Sequence, residues 1–126
     1  AAANVLPGVT ATKMVPIGTA IGSPIYFVGA SNLLSAAGKR TLDVIAAQVK
    51  RDGGTVNVTG YARRSPDTSD AFMKHVSELR ALAVANYLAS RGVQQWIRWQ
   101  GVGAPTSTTG SDTDRRVVVS LSPYAD

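Results

Sequence analysis

Cysteine is absent from these 126 residues, and His75 is the single histidine. The first absence excludes a disulfide frame, a thiolate nucleophile and a cysteine-ligated metal, and it leaves the redox state of the compartment unreadable. The second, together with the lack of a Gly-x-Ser-x-Gly turn, removes the parts of a histidine-activated nucleophile and of a histidine-rich metal site. His75 is expected on a helix surface or at a cap. Gly38-Lys39-Arg40 is no phosphate loop, because Leu33 stands where the earlier glycine is required and no Ser or Thr follows Lys39. No cofactor is expected, and the chain is not expected to be an enzyme. No apolar run approaches the roughly 20 residues of a membrane span. Ala1-Ala2-Ala3-Asn4 has neither a basic n-region nor an apolar h-region, so any targeting segment or anchor is expected to lie outside this sequence.

Acidic residues are also in short supply, eight against thirteen basic, for a net charge of +5. An anionic partner fits that balance, whether cell-wall polymer, lipid head group or nucleic acid. The eight acids contain no spaced pair suited to acid/base work; Asp67, Asp70, Asp112 and Asp114 lie in or beside loops, where carboxylates are usually solvated. Nucleic acid is the least favoured partner. A single-strand binder would add exposed aromatics at stacking spacing, whereas Trp96 and Trp99 have opposite parity on one strand, which predicts one in the core and one outside.

The chain is long enough for one core and too short for two. Residues 1–23, rich in Gly, Pro, Thr and Ala, form an irregular arm or linker that can supply an extra strand; residues 24–122 form the domain and residues 123–126 a tail. Two helices are predicted, near Ala36–Lys50, capped by Ser35 with Leu42, Ile45, Ala46 and Val49 on one face, and near Asp70–Arg91. Strands are predicted at Ile25–Val28, Val56–Gly60, Ile97–Gly101 and Val117–Leu121, with Val56 and Val58 facing helices and the other side of that strand open. The order β-α-β-α-β-β implies an α+β fold, a two-layer α/β sandwich with a mixed sheet and its helices on one face.

The second helix holds the most informative residue. At 100° per residue Val76, Leu79, Ala83, Val84 and Tyr87 share a face, and Arg80 falls near its centre. An unpaired buried guanidinium is costly, so either a carboxylate of the chain satisfies Arg80, with Asp114 a candidate, or the helix borders a pocket for an anionic ligand. In an ion pair, Arg80→Ala would cost roughly 3–5 kcal/mol. At a pocket rim the variant would fold nearly as well and lose its ligand.

Around Arg80 the chain runs Ser77-Glu78-Leu79-Arg80-Ala81, then Tyr87-Leu88 and Arg91-Gly92-Val93. It is preceded by Ile25-Tyr26-Phe27, a helix from Leu42 to Val49, and Val56-Asn57-Val58-Thr59-Gly60, and followed by Gly101-Val102-Gly103 and Asp114-Arg115-Arg116-Val117. In that order these segments resemble OmpA-like domains, the peptidoglycan-binding modules of outer-membrane proteins, peptidoglycan-associated lipoproteins and flagellar stator proteins. The resemblance spans about Ile25 to Leu121. It implies a noncatalytic module of the periplasm or cell envelope, in a setting associated with the outer membrane, that anchors its parent to peptidoglycan through the diaminopimelate of a stem peptide. The alternative is a degenerate domain serving as a structural subunit among neighbouring proteins of an envelope-spanning assembly such as a secretion system.

In that family the loop after the second strand reads Gly-His-Thr-Asp; its Asp binds the ammonium of diaminopimelate, and the helix Arg binds a carboxylate. Here Arg80 keeps the second role, but the loop reads Gly60-Tyr61-Ala62-Arg63, with Arg64 next, and is about two residues longer. Met73 and Asp114 stand where the family has Asn. The resemblance therefore implies Arg80 as carboxylate anchor, Arg116 or Arg115 as support, Tyr61, Asp67 and Asp70 at the rim, and Arg63 in place of the aspartate. Exchanging an anion for a cation turns attraction for an ammonium into repulsion of about 1–4 kcal/mol. Positive potential is expected in the pocket, offset only by Asp67 and Asp70.

Overall fold

Ser35 starts the first helix. The computed structural model describes residues 9–11, 19–105 and 111–122; the arm at 1–8 and 12–18 and the tail at 123–126 fall outside the described residues. Helix α1 spans Ala36–Asp52, and the Ser35 hydroxyl accepts the Gly38 amide at 3.0 Å, occupying one of the amides a helix start leaves without a partner. Its buried face carries Leu42, Ile45, Ala46 and Val49 as expected. Helix α2 spans Asp70–Ser90, capped by Ser69, which accepts from the Phe72 amide at 3.1 Å, with Asp70 in the first turn against the positive end of the helix dipole. The helices are tied together where the Tyr87 hydroxyl donates to Asp43 at 2.8 Å and Arg91 pairs with the same carboxylate at 2.9 Å.

Among the described residues the sheet has six strands: β1 (Val9–Ala11), β2 (Thr19–Ala20), β3 (Ile25–Tyr26), β4 (Thr55–Gly60), β5 (Ile97–Gly101) and β6 (Arg116–Ser122). Their order is β1-β5-β4-β6-β2, and β3 lies beside β2 along β6. Pairing is parallel from β1 through β5 to β4, and antiparallel wherever β6 takes part. The architecture is the expected mixed-sheet α+β sandwich, and two pieces of the preceding arm, Val9–Ala11 and Thr19–Ala20, extend the sheet on opposite edges.

Strand β4 is central, with Val56 opposite both Ile97 and Leu121. Val56, Val58, Ile97, Val117 and Val119 pack under the two helices in one continuous core. The expectation of an open second side on β4 fails: Thr55, Asn57 and Thr59 are buried as well, and Asn57 donates to the Ser122 hydroxyl at 2.9 Å. Being flanked on both edges, the strand is screened by the side chains of two neighbours. Strand β3 ends at Tyr26, earlier than predicted; the Phe27 amide still reaches the Arg115 carbonyl at 2.8 Å, but Val28 turns outward and is 82% exposed. Trp96 and Trp99 are each half-buried, with Trp99 against the margin of the core, so neither fills its centre.

The buried stripe of α2 is Met73, Val76, Ser77, Arg80, Ala81, Val84, Ala85 and Leu88. Leu79 and Ala83, expected inside, are half-buried. The stripe is rotated towards Ser77 and Ala81 because glycines end the two strands below: a Cβ on Gly60 would meet the Ser77 carbonyl oxygen at 2.1 Å, and one on Gly101 the Glu78 nitrogen at 2.3 Å. Backbone thus packs on backbone, with room only for small residues at the crossing. Ser77 fills that crossing, donating to the Lys74 carbonyl at 2.7 Å and accepting from the Gly103 amide at 2.9 Å. Ser77→Ala leaves the Gly103 amide without that acceptor and is expected to cost about 1–2 kcal/mol in urea unfolding; an unchanged midpoint would show that the bond contributes nothing.

Candidate ligand pocket

Because α2 is drawn down onto Gly60 and Gly101, its first three turns stand over the C-terminal end of β4, where the chain departs as Tyr61-Ala62-Arg63. The Tyr61 amide donates to the Arg116 carbonyl at 2.8 Å and the Ala62 amide to the Gly103 carbonyl at 2.9 Å, which anchors the base of the loop. Between this loop, the segment leaving β3 and the start of β6 lies a cavity of about 180 Å³. Gly29 and Ala30 line it from the β3 side, Ala62, Arg63, Ser65 and Thr68 from the loop, Phe72, Met73, Val76 and Arg80 from α2, and Arg115 from the entrance to β6.

Arg80 is 1% exposed. Its Nε donates to the Ser31 carbonyl at 2.9 Å, Nη1 to Tyr61 at 3.1 Å and Nη2 to Gly29 at 2.5 Å, and its guanidinium carbon lies 5.4 Å from the centre of the Phe27 ring. These bonds employ three of the five donors of a guanidinium. The candidate pairing with Asp114 does not occur. Asp114 caps a short 3-10 turn, Asp112–Asp114, and pairs with Arg116 at 3.5 Å, so Arg80 is held by carbonyl dipoles. Burial, and then the neighbouring Arg115 guanidinium, push its pKa down to about 10, and it remains charged at neutral pH. Nor is Arg80 a rim residue: it forms part of the pocket wall and ties together the β3 exit, the loop and α2.

Of the residues singled out from the sequence, Arg63, Arg80 and Arg115 come together around the cavity. Tyr61 contributes its carbonyl to Arg80, while its ring lies 4.3 Å from the guanidinium carbon of Arg116, outside the lining. Arg115 closes the 3-10 turn Asp112–Asp114, whereas Arg116 is the first residue of β6, so the two adjacent side chains leave the backbone in different surroundings. Asp70 pairs with Arg64, and Asp67 is exposed; neither lines the cavity. Asp112, also outside the lining, pairs with two of the lining arginines, its Oδ1 contacting Arg63 at 2.5 Å and Arg115 at 2.9 Å. Its spacing of three from Arg115 was visible in the sequence; its contact with Arg63, across 49 positions, was not.

Three guanidiniums therefore line a pocket whose remaining wall is largely apolar, and the carboxylate that pairs with two of them stands outside the lining. It suits an anion. Among the described residues no group of His, Cys, Asp and Glu could hold a metal, and His75 is exposed on α2.

Such a fold and site define a small α+β domain with a cationic pocket at the C-terminal end of its central strand. The chain belongs to the OmpA family, whose model matches residues 26–118. It is 34% identical over 97 residues to outer membrane protein A of Shimwellia blattae, covering 73% of this chain and 39% of that protein. To outer membrane protein P5 of Haemophilus influenzae it is 32% identical over 111 residues, covering 86% of this chain and 30% of the relative. The chain thus spans well under half the length of either. In structure it is similar to the OmpA-like domain of FopA1 from Francisella tularensis, with a TM-score of 0.72 at 23% identity over 97% of this chain and 94% of the other. The peptidoglycan-associated lipoprotein of Burkholderia pseudomallei gives a TM-score of 0.65 at 17% identity, over 79% and 89% of the two chains.

Proposed function

We propose that this domain is a noncatalytic peptidoglycan-binding module of the bacterial envelope that anchors its parent protein to the wall. The observation that carries the reading is Arg80, a buried cation whose contacts are carbonyls, in the wall of a pocket to which Arg63 and Arg115 add charge of the same sign. A guanidinium so placed has donors to spare for a carboxylate and gains stability from one. Membership of the family supports the wall as the source of that carboxylate, and an envelope setting agrees with relatives that are outer membrane proteins.

The presence of Arg63 at the family's aspartate position supports a second reading, in which the domain is a structural subunit of an envelope assembly and its ligand chemistry is lost. Cosedimentation with purified sacculi separates the two. Binding is expected at low salt and should weaken as salt rises, and Arg115→Gln should reduce it severalfold while leaving the unfolding midpoint nearly unchanged. No cosedimentation at low salt would overturn the anchoring role in favour of the structural one.

A further inference from the structure

We infer that the pocket selects carboxylate ligands whose neighbouring amine is acylated over those bearing a free ammonium. The inference rests on the anchoring function above, and within a cell wall it means preference for stem peptides whose side-chain amine is already cross-linked. The argument is one of charge and position. Arg63, Arg80 and Arg115 approach the cavity from the loop, the helix and the start of β6, so a ligand carboxylate seated against Arg80 has cations on the other sides too. The carboxylate nearest this set, Asp112, is engaged by both Arg63 and Arg115, and its side chain is 79% exposed, towards solvent. An ammonium beside the bound carboxylate would therefore face guanidiniums, with no carboxylate of the lining to receive it.

Acylating the amine removes that repulsion and replaces a strongly hydrated cation with a neutral amide. The rest of the wall accommodates such a ligand: Ala30, Ala62, Phe72, Met73 and Val76 present apolar surface to an aliphatic stem, and Ser65 and Thr68 add hydroxyl-bearing residues to the lining. Like charges close together in a partly desolvated site repel, and a roughly tenfold loss of affinity, about 1.4 kcal/mol, is expected from that repulsion.

The test is a calorimetric titration of the intact chain, at fixed ionic strength, with diaminopimelate, its mono-N-acetyl derivative and pimelate, which has the same carbon chain and no amine. The acetyl derivative and pimelate are expected to bind roughly tenfold more tightly than diaminopimelate. Arg63→Asp should narrow or invert the preference, and Asp112→Asn, a change at an exposed side chain, should widen it; if Arg63→Asp does not fold, Asp112→Asn carries the comparison. Equal affinity for diaminopimelate and its acetyl derivative, with sacculus binding intact, overturns the selectivity and leaves the anchoring function standing. Preference for the acylated ligand without any sacculus binding sustains the pocket chemistry and overturns the anchoring function.

Discussion

Arg80→Ala is expected to lower folding stability by about 2–4 kcal/mol and to abolish carboxylate binding. The change removes the donor to three carbonyls, those of Gly29 and Ser31 on the segment leaving β3 and that of Tyr61 on the loop after β4. Each buried carbonyl left without a partner costs about 1–3 kcal/mol, and the missing side chain leaves a void beneath Phe27. Part of that loss is returned, because the variant no longer buries a charge whose pKa burial has depressed. Arg80→Met keeps most of the volume and so isolates the hydrogen-bond contribution, while Arg80→Lys keeps the charge but not the planar fork that reaches three acceptors at once. Urea unfolding of the three variants checks the order, with Lys and Met both intermediate between Ala and the parent. An Arg80→Ala protein with the parent's unfolding midpoint would show that water satisfies these carbonyls, and Arg80 would then be an anchor for ligand alone.

The other large effect is expected at the crossing of α2 over the sheet. In Gly60→Ala the new methyl would lie 2.1 Å from the Ser77 carbonyl oxygen and 3.2 Å from the Ala81 Cβ. The first obstacle is helix backbone, which cannot rotate aside as a side chain can, so either the helix lifts or the strand end bends. Overpacking typically costs 1–3 kcal/mol when side chains give way, and about 3 kcal/mol or more is expected where backbone must move. Gly101→Ala meets the Glu78 nitrogen at 2.3 Å and should behave alike. Lifting α2 also draws Arg80 away from the carbonyls of the β3 exit, so binding should weaken together with stability in both variants. A stable Gly60→Ala protein with full affinity would mean that the helix rides freely on the sheet.

The glycines also show why much of the fold was legible. Gly60 and Gly101 end strands whose apolar residues alternate, Ser35 stands at the head of a periodic stripe, and Val117-Val118-Val119 marks an interior strand; each signal is local and follows from backbone geometry alone. The errors have local limits too. Periodicity alone puts Leu79 inside α2, because it cannot tell a Leu from an Ala when the facing strand ends in glycine and admits only small residues at closest approach. Strand β4 was given an open side because alternation of Val with Thr and Asn looks the same whether or not neighbours cover the polar face.

For the pocket the division falls between identity and partnership. The sequence by itself determined that an arginine would lie in the apolar face of α2 and that basic residues would cluster in the loop after β4 and at the start of β6, since periodicity and composition depend only on which residues are present. Which acid meets which arginine was decided by the tertiary structure alone. Asp112 reaches Arg63 across 49 positions, Asp114 serves Arg116, and Arg80 is satisfied by carbonyls that carry no side-chain label. Coulombic attraction and hydrogen bonding act over a few ångströms of space, and chain separation measures that distance only within a helix or strand; between segments, the packing of α2 on its two glycines sets it.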